Sequence, residues 1–368
     1  MKTILANLLD LAIQIQQIPA PTFHETERAA FVRSLFEQEQ LSDVATDSFG
    51  NVYACLAGRG ERPPLVLSAH TDTVFPFSTA LAFTRTPDKI HAPGIGDNSL
   101  AVAGLFGLVW TLRKRNLQLP GDLWLVANTG EEGLGDLIGM RAVVDRFGRA
   151  PLAYLILEGM ALGKIYHRAL GVFRYRITAR TEGGHSWAHF GRPSAIHELA
   201  RWITQLEQIK LPQAPRTTLN VGRIQGGTSV NTIAPEASLE LDLRSEGTQA
   251  LATLIEHVQK LVERANRPNQ VQFTAEVIGN RPAGEIAPDH PLVRLAVDCH
   301  EAQDLHPQLN VGSTDANVPL SQGLPAICIG LTTGGDAHTV GEYVDIPPLK
   351  QGLAQLTRFV ERAYQELS

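Results

Sequence analysis

Cysteine is scarce in this chain. Cys55, Cys299 and Cys328 are odd in number and far apart, so neither a disulfide framework nor a paired-cysteine metal knuckle is encoded. They read as reduced, buried thiols of a cytoplasmic protein. A basic excess is missing too. The 32 basic residues stand against 38 acidic ones, a net charge of -6, which gives no attraction to nucleic acid or to an anionic membrane. No apolar stretch approaches the roughly 20 residues needed to span a bilayer. The apolar run in Met1–Pro19 is interrupted by Asp10, Gln14, Gln16 and Gln17 and has no small-residue cleavage site after it. It reads as an amphipathic first helix. What remains is a globular composition, 43% hydrophobic and 19% charged, over 368 residues, which is enough for two domains.

Hydrophobic patterning divides the chain. Leu65–Ala69, Leu123–Ala127, Leu152–Leu157 and Ala326–Leu331 are apolar without alternation, the pattern of strands buried on both faces. Ala101–Leu112 and Leu349–Leu367 have helical spacing, and Thr22 to Glu25 has the spacing of a capping box before a helix. From about residue 169 the pattern changes. Phe173, Tyr175, Ile177 and Ala179 alternate with Arg174, Arg176, Thr178 and Arg180, and Leu239, Leu241 and Leu243 alternate with Glu240, Asp242 and Arg244. Strict period two belongs to a sheet with one wet face. With strands at Thr217–Ile224 and Val271–Val277 and helices at Ser194–Gln208 and Thr248–Ala265, the order is β-α-β-β-α-β. The expected fold is α/β: a catalytic domain of residues 1–168 and 282–368, whose mostly parallel sheet is flanked by helices, with a second domain of residues 169–281 inserted into it.

Polar residues follow each buried strand. His70 and Asp72 come after the first, Glu131 and Glu132 after the second, and Glu158 after the third. A glycine-rich loop with Asp336 and His338 follows the fourth, and the loop Pro93–Asn98 carries Asp97. Ligands of open α/β sheets bind at the carboxyl ends of strands. His70, Asp97, Glu132, Glu158 and His338 are therefore expected at one edge. Two imidazoles with three carboxylates suit borderline divalent ions, chiefly Zn²⁺. Two ions fit better than one, with Asp97 bridging, His70 and Glu158 on one ion, and Glu132 and His338 on the other. Asp72 is placed to accept the other N–H of His70, and Glu131 is left as general base.

The elements Ser68–Asp72, Gly96-Asp97-Asn98, Glu131-Glu132-Gly133, Glu158 and Ala337-His338 resemble those of the co-catalytic zinc peptidase family. That family includes carboxypeptidase G, acetylornithine deacetylase, succinyl-diaminopimelate desuccinylase, aminoacylase and peptidase T. The resemblance runs in order over nearly the whole chain. It implies an amidohydrolase with two Zn²⁺, replaceable by Co²⁺ or Mn²⁺, and an inserted lid or dimerisation domain. By the same resemblance, His185 in Gly183–Ser186 helps bind the oxyanion, and Asn231 and Arg244 bind substrate. Gly312–Ala316, with Ser313 and Thr314, resembles a substrate-side loop. Glu at 158, where the family's aminopeptidases and dipeptidases usually carry Asp, favours a carboxypeptidase or N-deacylase acting on a peptide or N-acyl amino acid with a free carboxylate. A homodimer through the insert is compatible with this reading.

Three other readings compete. A di- or tripeptide aminopeptidase of the same family uses the same centre. Gly184–Ala188 nearly matches the G-x-S-x-G elbow of serine hydrolases, with Ser186 as nucleophile, although the last position is Ala188. A peptide-binding protein without catalysis would have no use for Glu131. His24-Glu25 and His197-Glu198 lack the second histidine of a zincin helix and read as ordinary helix residues.

Overall fold

The computed structural model describes residues 2–367. Two compact units make up the chain, residues 1–169 with 285–368, and residues 170–284. These limits fall slightly beyond the 168/169 and 281/282 junctions read from the sequence. The chain leaves the first unit along Lys164–Ala169 and returns along Gly284–Glu285, and the two strands are hydrogen-bonded neighbours.

The first unit is built on a nine-stranded sheet. Leu123–Asn128, Leu65–His70, Tyr154–Glu158 and Ala326–Gly330 lie side by side at its centre, parallel to one another. Nearly every residue in them is buried, so apolar side chains are required on both faces and alternation is lost. Val52–Leu56 and Ser42–Thr46 extend the sheet antiparallel. Lys2–Gln16, Leu100–Lys114 and Leu349–Glu366 pack on one face, and Ile138–Phe147 and Asn317–Ser321 on the other. This is the α/β architecture expected.

Two expectations fail in this unit. Ile95–Lys114 is long and apolar enough to cross a membrane by length and composition, contrary to the sequence reading, and it lies almost wholly buried as a core helix. The capping box at Thr22–Glu25 does not form. The helix begins at Thr26 with Glu25 at its N-cap and no side-chain cap, because the Thr22 hydroxyl donates to Asp72 and the Glu25 carboxylate accepts the N–H of Gly130.

A small sheet of Thr84–Arg85, Lys89–His91, Tyr343–Asp345 and Gly334–Gly335 has strands too short to leave a periodic signal. Its pairings, Tyr343↔His91 and Gly334↔Val344, fasten the loop that carries Asp97 to the loop that carries His338.

The second unit is an antiparallel sheet in the order Thr217–Gly226, Glu236–Ser245, Gly171–Thr181, Val271–Arg281. Ala195–Leu206 and Thr248–Ala265 cover the face formed by Tyr175, Ile177, Leu239, Leu241 and Leu243, with Trp202 at the centre of the core. The other face is a ladder of ion pairs. Arg174, Arg176 and Arg180 stand directly opposite Asp242, Glu240 and Glu236. Cross-strand pairs of opposite charge each contribute about 0.2–1 kcal/mol, so the ladder favours this register.

Candidate metal centre

The register of the parallel strands sets the centre. His70 ends its strand opposite Asn128, and Glu158 ends its strand opposite Gly330. The loops that follow therefore meet at one edge. His70 Nε2 lies 3.1 Å from Asp97 Oδ1 and 3.8 Å from Glu158 Oε2. His338 Nε2 lies 3.0 Å from Asp97 Oδ2 and 3.1 Å from Glu132 Oε1. Two groups of potential ligands result, His70/Asp97/Glu158 and Asp97/Glu132/His338, and Asp97 presents a different oxygen to each. A third group, His70/Glu131/Glu132, brings Glu131 to the same place. Glycine permits this approach of loops: a Cβ on Gly159 would fall 2.1 Å from the Gly96 carbonyl oxygen.

Buried polar residues hold these loops. Asp72 receives the N–H groups of Glu131 at 3.0 Å and Glu132 at 2.8 Å, and the hydroxyl of Thr22 at 2.9 Å. Its backbone carbonyl lies 3.1 Å from His70 Nδ1, and its carboxylate 3.4 Å from the same nitrogen. The expected Asp72–His70 contact is thus made chiefly through the backbone, while the carboxylate holds the Glu131–Glu132 turn. Glu25 accepts the N–H of Gly130 at 3.1 Å, and Arg28 donates to the carbonyl of Thr71 at 2.7 Å. Asn98 donates to Leu157 and accepts from Gly159, clipping the Asp97 loop onto the Glu158 strand. Glu342, fully buried, accepts from the N–H groups of Gly94, Gly96 and Asp97.

The electrostatics suit cations. Burial pulls His70 down, but Asp72, Asp97 and Glu158 outweigh it and hold the imidazole well above its ordinary range. Hydrogen bonds to Asp97 and Glu132 lift His338 to about 10. Burial pushes Glu158 up to about 7. Burial opposes ionisation of Asp97, yet His338 and His70 hold it well below the usual carboxylate range. That the surrounding carboxylates raise both imidazoles marks a place of concentrated negative charge. Asp97, Glu131, Glu132 and Glu158 carry four negative charges when ionised, which two divalent ions would balance. The nitrogen and oxygen donors also match the preferences of zinc-like ions, so the residues fit a dinuclear centre.

The inserted unit holds His185, Asn231 and Arg244. His185 is exposed, and its Nδ1 accepts from the backbone N–H of Trp187 at 3.2 Å and Ala188 at 3.4 Å, which leaves the proton on Nε2. Asn231 neighbours it, since the N–H of Ser186 donates to the Asn231 carbonyl. Ser186 itself lies in a turn after the two-residue strand Gly184–His185, and the next helix starts only at Ala195. That is not the strand–turn–helix of a nucleophile elbow, so the serine-hydrolase reading has no scaffold. Arg244 donates through Nε to Asp242 at 2.7 Å, the local salt bridge that competes with a substrate-binding role. In the catalytic unit, Ser313 and Thr314 follow the strand Gln308–Gly312, and Thr314 Oγ1 accepts from the N–H of Ala316.

The model of peptidase family M20/M25/M40 matches residues 66–362. The chain belongs to this family. An M20 domain-containing protein of Schizosaccharomyces pombe is 31% identical, over 96% of this chain and 84% of its own length. Acetylornithine deacetylase of Myxococcus xanthus is 27% identical, over 91% and 88%. Among solved structures, a tripeptidase from Staphylococcus aureus superposes with a TM-score of 0.83 at 21% identity, covering 98% of this chain and 99% of that one. Together with the ligand clusters, M20 membership makes the chain a metal-dependent hydrolase of peptide or amide bonds.

Several residues that shape this M20 centre escape sequence reasoning. Glu25, read as an ordinary helix residue, is a buried brace of the Glu131 turn. Its chemistry is invisible locally because its partner, Gly130, is distant in sequence. Asn98 and Glu342 are missed for the same reason. Their only visible signal is position, one residue after Asp97 and four after His338.

Proposed function

We propose that this M20 protein hydrolyses the amide bond of a small peptide or N-acyl amino acid with a free carboxylate, in the manner of a carboxypeptidase or N-deacylase. The observation that carries the reading is the pair of ligand groups sharing Asp97, with Glu131 beside them. His70, Asp97 and Glu158 would hold one ion, and Asp97, Glu132 and His338 the other, with Zn²⁺ first choice and Co²⁺ or Mn²⁺ as substitutes. When bound, such ions acidify water and polarise a carbonyl. Glu131 takes the proton of the attacking water and returns it to the leaving amine. His185 donates from Nε2 to the tetrahedral oxyanion. Asn231 and Arg244 hold the polar end of the substrate, with Ser313 and Thr314 along its path. The Arg244–Asp242 salt bridge favours a second reading, an aminopeptidase that leaves Arg244 structural.

A homodimer through the insert belongs to this proposal. Its support is the edge strand Thr217–Gly226, exposed along most of its length. A cytoplasmic location is supported by three free, buried thiols.

A hydrolysis screen tests the function, with dipeptides, tripeptides and N-acyl amino acids offered as free acids and as amides. Activity should vanish on dialysis against a strong chelator and return with Zn²⁺, Co²⁺ or Mn²⁺. Full activity of the metal-free protein would sink the proposal. Equal rates on acids and amides, with Arg244→Ala affecting both alike, would decide for the aminopeptidase.

A further inference from the structure

Glu342 has no part in any of the ligand groups, yet it is a completely enclosed carboxylate beside them. No part of it is exposed. Burying a carboxylate is costly unless strong donors replace its water. Here the donors are backbone N–H groups of one short loop. Oε1 accepts from Gly96 at 2.7 Å and Asp97 at 2.9 Å, and Oε2 accepts from Gly94 at 3.1 Å. The backbone of Glu342 is fixed as well, since its carbonyl accepts the N–H of Ala92 at 3.0 Å. The next residue, Tyr343, pairs with His91 in the small sheet.

Two consequences follow from this geometry. A hydrogen bond to the N–H of Asp97 fixes the peptide from which the Asp97 side chain departs, and so sets its direction. Glu342 also ends the loop that carries His338. One side chain therefore ties together the two loops whose ligands meet at 3.0 Å, His338 Nε2 and Asp97 Oδ2.

We propose that Glu342 is a positioning residue of the metal centre, holding the Asp97 loop so that both Asp97 oxygens face their cations. The proposal rests on the dinuclear reading given above. It predicts that loss of Glu342 weakens cation binding directly, beyond any effect on folding. Residues that orient ligands typically contribute about 10–100-fold to metal affinity.

The test is Co²⁺ binding to the full-length, metal-stripped protein, followed by calorimetry and by the visible spectrum of the bound ion. Thermal unfolding of each metal-free protein is measured alongside. Glu342→Leu keeps the approximate volume and removes all three acceptors. Its Co²⁺ affinity should fall about 10–100-fold, with an altered Co²⁺ spectrum. Glu342→Gln keeps the shape and loses an acceptor facing one N–H, so a smaller loss, about tenfold or less, is expected. If Glu342→Leu does not fold, Glu342→Gln decides. A lowered unfolding temperature with unchanged Co²⁺ affinity and spectrum in the folding variants would overturn the proposal and leave Glu342 a purely structural residue. Failure of the unmutated protein to bind Co²⁺ would overturn the dinuclear reading itself, and this proposal with it.

Discussion

Asp72 and Glu131 illustrate how one residue acts on another at this centre. Asp72 grips the N–H groups of Glu131 and Glu132, so the proposed base and a proposed ligand keep their places through one buried carboxylate. Glu131→Gln preserves the shape and cannot take a proton. It should lower kcat by at least about 100-fold while bound metal, measured by atomic emission, stays at the unmutated level. Because Glu131 also falls in a possible ligand group with His70, the opposite result is informative. Loss of metal in Glu131→Gln with retention in Glu132→Gln would reverse the two roles. For Asp72→Asn, whose amide turns a donor toward one of those N–H groups, kcat should fall about 10–100-fold. An unchanged kcat would show that the turn holds itself.

Elements carry their own tests. The helix Leu349–Glu366 lies so close to the sheet that a Cβ on Gly352 would fall 1.7 Å from the Leu331 carbonyl oxygen. Backbone cannot yield as a flexible side chain can, so Gly352→Ala should cost about 3 kcal/mol in denaturant unfolding, the upper end for overpacking. A cost under about 1 kcal/mol would mean that the helix slides freely. In the helix Pro291–Glu301, His300 is fully buried, its Nδ1 set against the Ala296 carbonyl and its Nε2 without a partner among the described residues. Burial lowers its pKa below the ordinary value. As pH falls through about 6.5, the unfolded chain takes up the proton first, and stability is lost toward the lower folded-state pKa. His300→Leu should therefore lose less stability between pH 7 and pH 5 than the unmutated protein. Equal losses would clear His300 of any part in acid sensitivity.

How much of this was legible follows from range. The central strands and the covering helices announce themselves because burial on two faces or one leaves a continuous or periodic pattern. His70, Glu132 and Glu158 were visible because each stands at or just beyond such a strand. The braces were not visible. Thr22 and Glu25 imitate a capping box, and only the fold brings Asp72 and Gly130 within their reach.

At the scale of the whole molecule, the chain leaves and re-enters the catalytic unit at one point. Ile286 donates to the His167 carbonyl at 3.1 Å, His167 Nδ1 meets the Ile286 carbonyl at 2.7 Å, and Arg168 pairs with Glu285 at 2.9 Å. Replacing residues 170–284 by an Asn-Gly turn should therefore leave a catalytic unit that unfolds cooperatively and binds Co²⁺, without hydrolytic activity if His185, Asn231 and Arg244 act as proposed. A shortened chain without a cooperative unfolding transition would show that the unit needs its insert to fold. The same junction has an entropic side. A folded insert hands the chain back at strand spacing, about 4.8 Å, and is to its host no more than a tight turn. A melted insert is a floppy tether of roughly a hundred residues whose ends must still be held together, at a cost of about 4 kcal/mol. Heat that undoes the insert thereby withdraws stability from the host through the chain itself, and the two cores are driven toward a common melting temperature.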